Sequence, residues 1–177
     1  AITDLLRDIE GLNLDNIFFI NKNKISKIIN SNNLVESYEI FKKYPHTVDI
    51  KIKKTNFLAK MNINDKIFLI GSNGKLIDAK FLDIEVPFIF GKPQINEFIQ
   101  FTNIIGESNF SLNQIKNLYF FPSKRWDLEL KNNIILKLSK KNTRQSLDQA
   151  FEFLNDNNFN DIKVVDARIK NQIILND

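Results

Sequence analysis

The chain has 177 residues, 43% hydrophobic and 26% charged, which is enough apolar content for a packed core and excludes a disordered tail. It has no cysteine, which excludes a disulfide framework and a thiolate zinc site. Its formal charge of +4, from 25 Lys+Arg against 21 Asp+Glu, is spread over pairs such as Lys42-Lys43, Lys53-Lys54 and Lys140-Lys141 rather than gathered into the block that tracks nucleic acid.

Ile2, Leu5, Leu6 and Ile9 recur at helical spacing and stop at Gly11, which predicts a short amphipathic helix. Asn21 or Asn23 then caps a second helix carrying Ile25, Ile28 and Ile29 on one face. A mixed strand through Tyr38, Ile40 and Phe41 leads to a turn at Tyr44-Pro45-His46. Val48, Ile50 and Ile52 follow, alternating with Asp49, Lys51 and Lys53 as in a half-buried strand. From Phe57 onward strand pieces dominate. Lys66 to Ile70 and Lys75 to Ile77 flank Gly71-Ser72-Asn73-Gly74, a hairpin turn rich in residues that tolerate positive φ. Pro87, Gly91 and Pro93 interrupt the sheet, and Ile95, Phe98, Ile99 and Phe101 form one face of a helix. A further short helix follows Ser111, around Leu112 and Ile115.

Trp126, Leu128 and Leu130 alternate with Asp127, Glu129 and Lys131; Asn132-Asn133 then leads to Ile134, Leu136 and Leu138, a hairpin with one apolar face. Leu147, Ala150, Phe151 and Leu154 define a helix capped by Thr143 and ended by Asn157-Asn158. Two strands close the chain, Ile162 to Arg168 and Gln172 to Leu175. No apolar run approaches the roughly 20 residues that span a bilayer.

Catalytic chemistry finds little to work with. His46 is the only histidine and lies in a predicted turn, so it reads as a solvent-facing residue rather than a general base. No EF-hand spacing is present, and the glycine turn at 71–74 lacks the Lys-Ser/Thr of a phosphate-binding loop. No metal and no cofactor are expected. Asp83 and Glu85 can share a face, but paired carboxylates for acid/base work converge from different elements. The 16 phenylalanines fall mostly at core positions, and no RNP-like aromatic motif suggests nucleic acid. One constellation remains, Val164-Val165-Asp166-Ala167-Arg168. In a strand Asp166 and Arg168 share a face, where they form a surface ion pair of little energetic weight or hold a guanidinium ready for a partner carboxylate.

Five short signatures occur in the order that FtsQ/DivIB cell-division proteins have them. Asn16-Ile17-Phe18-Phe19-Ile20 resembles "N-I-F-x-I/V", and Tyr44-Pro45-His46-Thr47-Val48-Asp49-Ile50 resembles an aromatic-Pro-Asn-Thr-hydrophobic stretch. Val86-Pro87-Phe88-Ile89-Phe90-Gly91 resembles "L-P-x-hydrophobic-x-G", Arg125-Trp126-Asp127-Leu128-Glu129-Leu130 resembles "R-W-x-L-x-L", and Val165-Asp166-Ala167-Arg168 resembles "V-D-L-R". The resemblance implies an α+β fold, with a truncated POTRA-like domain at residues 1–55 followed by a mixed β-sheet domain with flanking helices at 56–177. It also implies that a first POTRA strand and a single membrane helix precede Ala1, so that this chain lies on the periplasmic side of the inner membrane, enriched at the division septum.

By the same resemblance the protein is a non-catalytic divisome scaffold. It binds FtsB and FtsL-type partners by strand addition along Arg168, Ile169, Lys170, Asn171, Gln172, Ile173, Ile174 and Leu175, and meets other division proteins through the POTRA domain. Arg168 matches the family arginine that meets an acidic partner residue. Ile169 stands where relatives often have an aromatic, and Ser123 where some have a basic residue, a role left to Lys124 or Arg125. Trp126 is assigned to the core. The competing expectation is a POTRA-type module that handles polypeptides in secretion or outer-membrane assembly. A cell-wall enzyme would need a cleft with two convergent carboxylates, and a nucleic-acid binder would show a steep salt dependence.

Overall fold

The computed structural model describes residues 2–11, 22–45, 47–82, 84–156 and 162–176. They group into two compact units, residues 1–57 with 71–77, and residues 58–70 with 78–177.

In the first unit, helices α1 (Ile2–Glu10) and α2 (Lys22–Ser31) accompany the antiparallel strands β1 (Val35–Lys43) and β2 (Thr47–Lys54). Leu5 and Ile9 of α1, like Ile25 and Ile29 of α2, are four residues apart and so lie on one stripe of each helix. With Val35 they form a buried cluster, closed by the half-buried Tyr38, Ile40, Ile50 and Ile52. The register explains that choice of face. Tyr38 lies opposite Ile52 and Ile40 opposite Ile50, whereas Glu39 faces Lys51 and Phe41 faces Asp49 on the other side. Helix α2 begins at Lys22, so Asn23 lies inside its first turn and does not cap it. Asn21, the segment Asn16 to Ile20 and His46 lie outside the described residues. Turn 71–77 belongs to this unit through side-chain hydrogen bonds. Asn73 Nδ2 donates to the carbonyls of Asn33 and Val35 at 3.0 and 2.8 Å, and Lys75 Nζ donates to the Asn30 carbonyl at 2.8 Å.

A mixed nine-stranded sheet contains β3 (Phe57–Ile63), β4 (Lys66–Gly71), β5 (Leu76–Asp78), β6 (Phe88–Phe90), β7 (Ile115–Phe120), β8 (Trp126–Leu130), β9 (Ile135–Leu138), β10 (Val164–Ala167) and β11 (Ile174–Asn176). Their spatial order is β11-β10-β9-β8-β7-β6-β3-β4-β5. Helix α3 (Ile95–Glu107) links the parallel neighbours β6 and β7, and α4 (Thr143–Asp156) links the parallel neighbours β9 and β10. Both crossovers step the same way across the sheet from strands that run in the same direction. Right-handed connections therefore put both helices on one face.

The row Met61, Ile89, Leu118, Leu128, Leu136 and Val165 is continuous across six strands on that face, and every member is buried. Phe98, Phe101 and Ile105 of α3 and Leu147 and Ala150 of α4 are the buried helical residues of this unit's apolar core. Trp126 stacks on Phe101 with ring centroids 4.5 Å apart, so its assignment to the core is correct.

Three further details differ from the sequence reading. Pro87 and Gly91 do not interrupt the sheet but bracket β6, one of its inner strands. Pro87 lies just before that strand, where its missing N–H costs no ladder bond, and its carbonyl accepts from the Lys60 N–H at 2.9 Å. Gly91 has φ of +101°, and a Cβ there would come within 2.2 Å of the Phe120 carbonyl oxygen, so only glycine fits. The helical turn after Ser111 ends at Gln114, and Ile115 opens β7. A register shift between Ile115 and Asn117 breaks the period of two that would have announced this strand. Thr143 is the first residue of α4, and its hydroxyl donates to the Ser139 carbonyl at 2.9 Å instead of capping the helix.

Candidate functional site: a sheet edge and the open face behind it

Because both helices cover one face, the opposite face of β6 to β11 carries a different row. Phe90, Tyr119, Asp127, Lys137, Asp166 and Ile174 are successive register partners from β6 to β11. Phe90 and Tyr119 stack at 5.1 Å, as neighbours on one face do. Beyond them the row is charged, and it is tied by two arginines two residues from their carboxylates. Arg125 donates through Nε and Nη2 to Asp127 at 3.0 Å each. Arg168 donates through Nε and Nη2 to Asp166, the Nη2 to Oδ2 contact being 2.6 Å.

The two pairs differ in exposure. Asp127 is almost fully buried and also accepts from the Leu138 N–H at 3.2 Å, while Arg125 is 24% exposed and lies over the Phe121 ring at 4.4 Å. Asp166 is 7% exposed and Arg168 46%. The bonds from Arg168 hold the Asp166 carboxyl below its ordinary range, against the opposing effect of burial, and the same carboxylate raises the guanidinium's affinity for its proton. Arg168 is therefore a permanently charged, oriented group. Its Nε and Nη2 are committed to Asp166, and among the described residues Nη1 has no partner. A third carboxylate, Glu129, is held at about 2 by the Asn117 amide, the Tyr119 hydroxyl and Lys116.

Strand β11 is the outermost strand on this side of the sheet. Its three residues pair with β10 as Val164 with Asn176, Val165 with Leu175 and Asp166 with Ile174. The strand begins two residues later than the expected Gln172 and covers only the end of the Arg168–Leu175 stretch expected to take a partner strand. The Gln172 N–H closes on the Ile169 carbonyl at 3.2 Å and Asn171 has φ of 59°, so residues 169–172 make a turn. Asn171 Oδ1 accepts from Gln145 Nε2 of α4 at 3.2 Å, which fixes that turn in place. Arg168, Ile169, Lys170, Asn171 and Gln172 are exposed, Ile173 is half-buried, and Ile174 and Leu175 remain 39% and 38% exposed on the edge itself.

Ser123 is exposed, and the charges beside it are engaged elsewhere, Lys124 with Glu97 at 2.8 Å and Arg125 with Asp127. Sequence reasoning missed the Arg125–Asp127 pair because Asp127 lies between Trp126 and Leu128 and so reads as a solvent-facing position. The signal was present as mirrored spacing, Arg-x-Asp at the entry to β8 and Asp-x-Arg at the exit from β10. Among the described residues no group of three or more His, Asp or Glu is placed to hold a metal, and no helix is long and apolar enough to cross a membrane.

Comparison with known proteins gives two adjacent family matches. Residues 3–54 match the FtsQ-type POTRA domain, and residues 59–168, more than half of the chain, match the C-terminal domain of the cell-division protein FtsQ/DivIB. The cell-division protein FtsQ of Rickettsia bellii is 26% identical over 170 residues, covering 90% of this chain and 61% of that protein. That of Rickettsia typhi is 25% identical over 189 residues, covering 97% and 65%. The chain thus spans under two thirds of the length of these relatives. Among solved structures, the major extracytoplasmic domain of the trans isomer of DivIB from Geobacillus stearothermophilus aligns with a TM-score of 0.43 and 14% identity, covering 58% of this chain and 91% of that one.

Proposed function

The chain belongs to the FtsQ/DivIB family of cell-division proteins, and from that premise we propose that it is a non-catalytic scaffold that binds FtsB and FtsL-type division proteins by adding a partner strand to β11. The observation that carries this reading is the oriented Arg168 beside a strand edge that has no pairing strand among the described residues. The outer backbone groups of β11 offer the ladder hydrogen bonds of strand addition. The two rows of the sheet set the demand on the partner. On the helix-covered face the buried row ends at the exposed Leu175, which suits an apolar partner residue. On the open face the charged row ends at Ile174 beside Arg168, which suits a carboxylate.

In this reading residues 1–55 form a POTRA-like domain available to further division proteins, residues 56–177 form the partner-binding β domain, and a membrane helix upstream of the chain anchors both on the periplasmic side of the inner membrane, at the septum. Nucleic acid and cofactors have no part in it. The test is a calorimetric titration of the chain with the C-terminal segment of the cognate FtsB. Saturable binding is expected, weakened at least about tenfold by Arg168→Glu, which reverses the charge at the desolvated contact. Undiminished binding in that variant, or no binding by the unaltered chain, would refute the edge.

A further inference from the structure

Toward the opposite side of the same sheet lies a groove unrelated to β11. It has a volume of about 600 Å³ and is lined by residues of β3 and β4 together with Asp78, Ala79, Lys80, Leu82 and Ile84, a size within the usual range of ligand pockets. Its apolar surface comes from Ile67, Leu69, Leu82 and Ile84. Leu69 is buried, but Ile67 and Leu82 leave 42% and 38% of their surface in water, a cost that an apolar occupant would remove.

Lysines from three separate elements surround these residues, Lys60 on β3, Lys66 at the start of β4 and Lys80 in the 3-10 turn of Ala79–Phe81. Lys60 and Lys66 have no ion-pair partner among the described residues. Among the described residues the one carboxylate lining the groove, Asp78, accepts from the Lys80 N–H at 2.9 Å as the cap of that turn. Glu85, next along the chain, is paired with Lys131 at 2.7 Å and is also within electrostatic reach of Lys60. Among the described residues the groove's lining, three lysines against one carboxylate, is therefore cationic around an apolar floor. Lys66 stands three residues, about 10 Å, along its strand from Leu69. Charges spread in this way suit several anionic groups along an extended segment better than one compact headgroup.

We propose that this groove is a second docking site, which takes an extended peptide segment of a partner protein in which carboxylates alternate with aliphatic side chains. The aliphatic residues cover Ile67 and Leu82, and the carboxylates meet the three lysines. The site does not depend on the β11 reading. The probe is a short acetylated peptide of alternating glutamate and leucine, titrated into the isotope-labelled chain and followed by amide chemical shifts. Saturable shifts are expected at Lys60, Lys66, Ile67 and Leu82, weakening as salt is raised.

The double variant Lys66→Glu/Lys80→Glu should weaken binding at least about tenfold, and the corresponding double change to glutamine should weaken it less. Circular dichroism unchanged from the parent would show that both variants are folded. A lysine-leucine peptide should not bind, and Arg168→Glu should leave the glutamate-leucine affinity unchanged. The proposal is overturned if the shifts do not saturate, if charge reversal leaves affinity intact, or if Arg168→Glu abolishes binding. It is equally overturned if vesicles of phosphatidylglycerol shift these amides and the peptide does not.

Discussion

Strands β8, β9 and β10 show two different surfaces on the two sides of one backbone. On one side Leu128, Leu136 and Val165 lie in a single dry row beneath α3 and α4; on the other the adjacent residues Asp127, Lys137 and Asp166 form a charged row that neither α3 nor α4 covers. The contrast teaches that a strand's period of two separates folding from recognition. The helix-covered side supplies most of the stability, and the open side is free to carry oriented charge up to the sheet edge.

The comparison can be broken most directly on the dry side. Trp126→Ala removes a buried ring that contacts Phe98, Phe101 and Phe120 and should cost about 3–5 kcal/mol in urea unfolding. Leu136→Ala, at a fully buried position, should cost about 2–4 kcal/mol. If either change proved nearly neutral, the assignment of stability to this side would fail.

On the charged side the effects should be smaller. Asp127→Ala strips Arg125 and the buried Leu138 N–H of their acceptor and should cost about 1–3 kcal/mol. Glu129 sharpens the picture through pH. Its folded value of about 2 lies below the ordinary 4.5, so its contribution is fully present above about 4.5 and is lost as pH falls toward 2. Glu129→Gln should flatten the acid limb of the stability profile across that window, by an amount on the order of 2 kcal/mol. At the bottom of the scale, Arg144→Ala breaks an exposed pair with Glu107 and should shift stability by under about 0.5 kcal/mol.

The alternation of Trp126, Leu128 and Leu130 and of Leu136 and Leu138, the helical stripe through Leu147 and Ala150, and the family signatures were all legible in the chain alone. Each is a local pattern whose meaning depends only on periodicity. The sequence by itself therefore determined the α+β class, the core side of the main hairpin, the helices of both units and Asp166 beside Arg168 as a pair. Tertiary structure alone decided the rest. β6 became an inner strand because its neighbours accept a three-residue segment between Pro87 and Gly91. β7 was hidden by a bulge that shifts its register. β11 shrank to three residues because Asn171 closes a turn held by α4. Asp127 became a buried anchor because Arg125 and the Leu138 N–H reach the same carboxylate. In most of these cases the deciding partner comes from another part of the chain, of which periodicity carries no record; Arg125, two residues from Asp127, is the local exception.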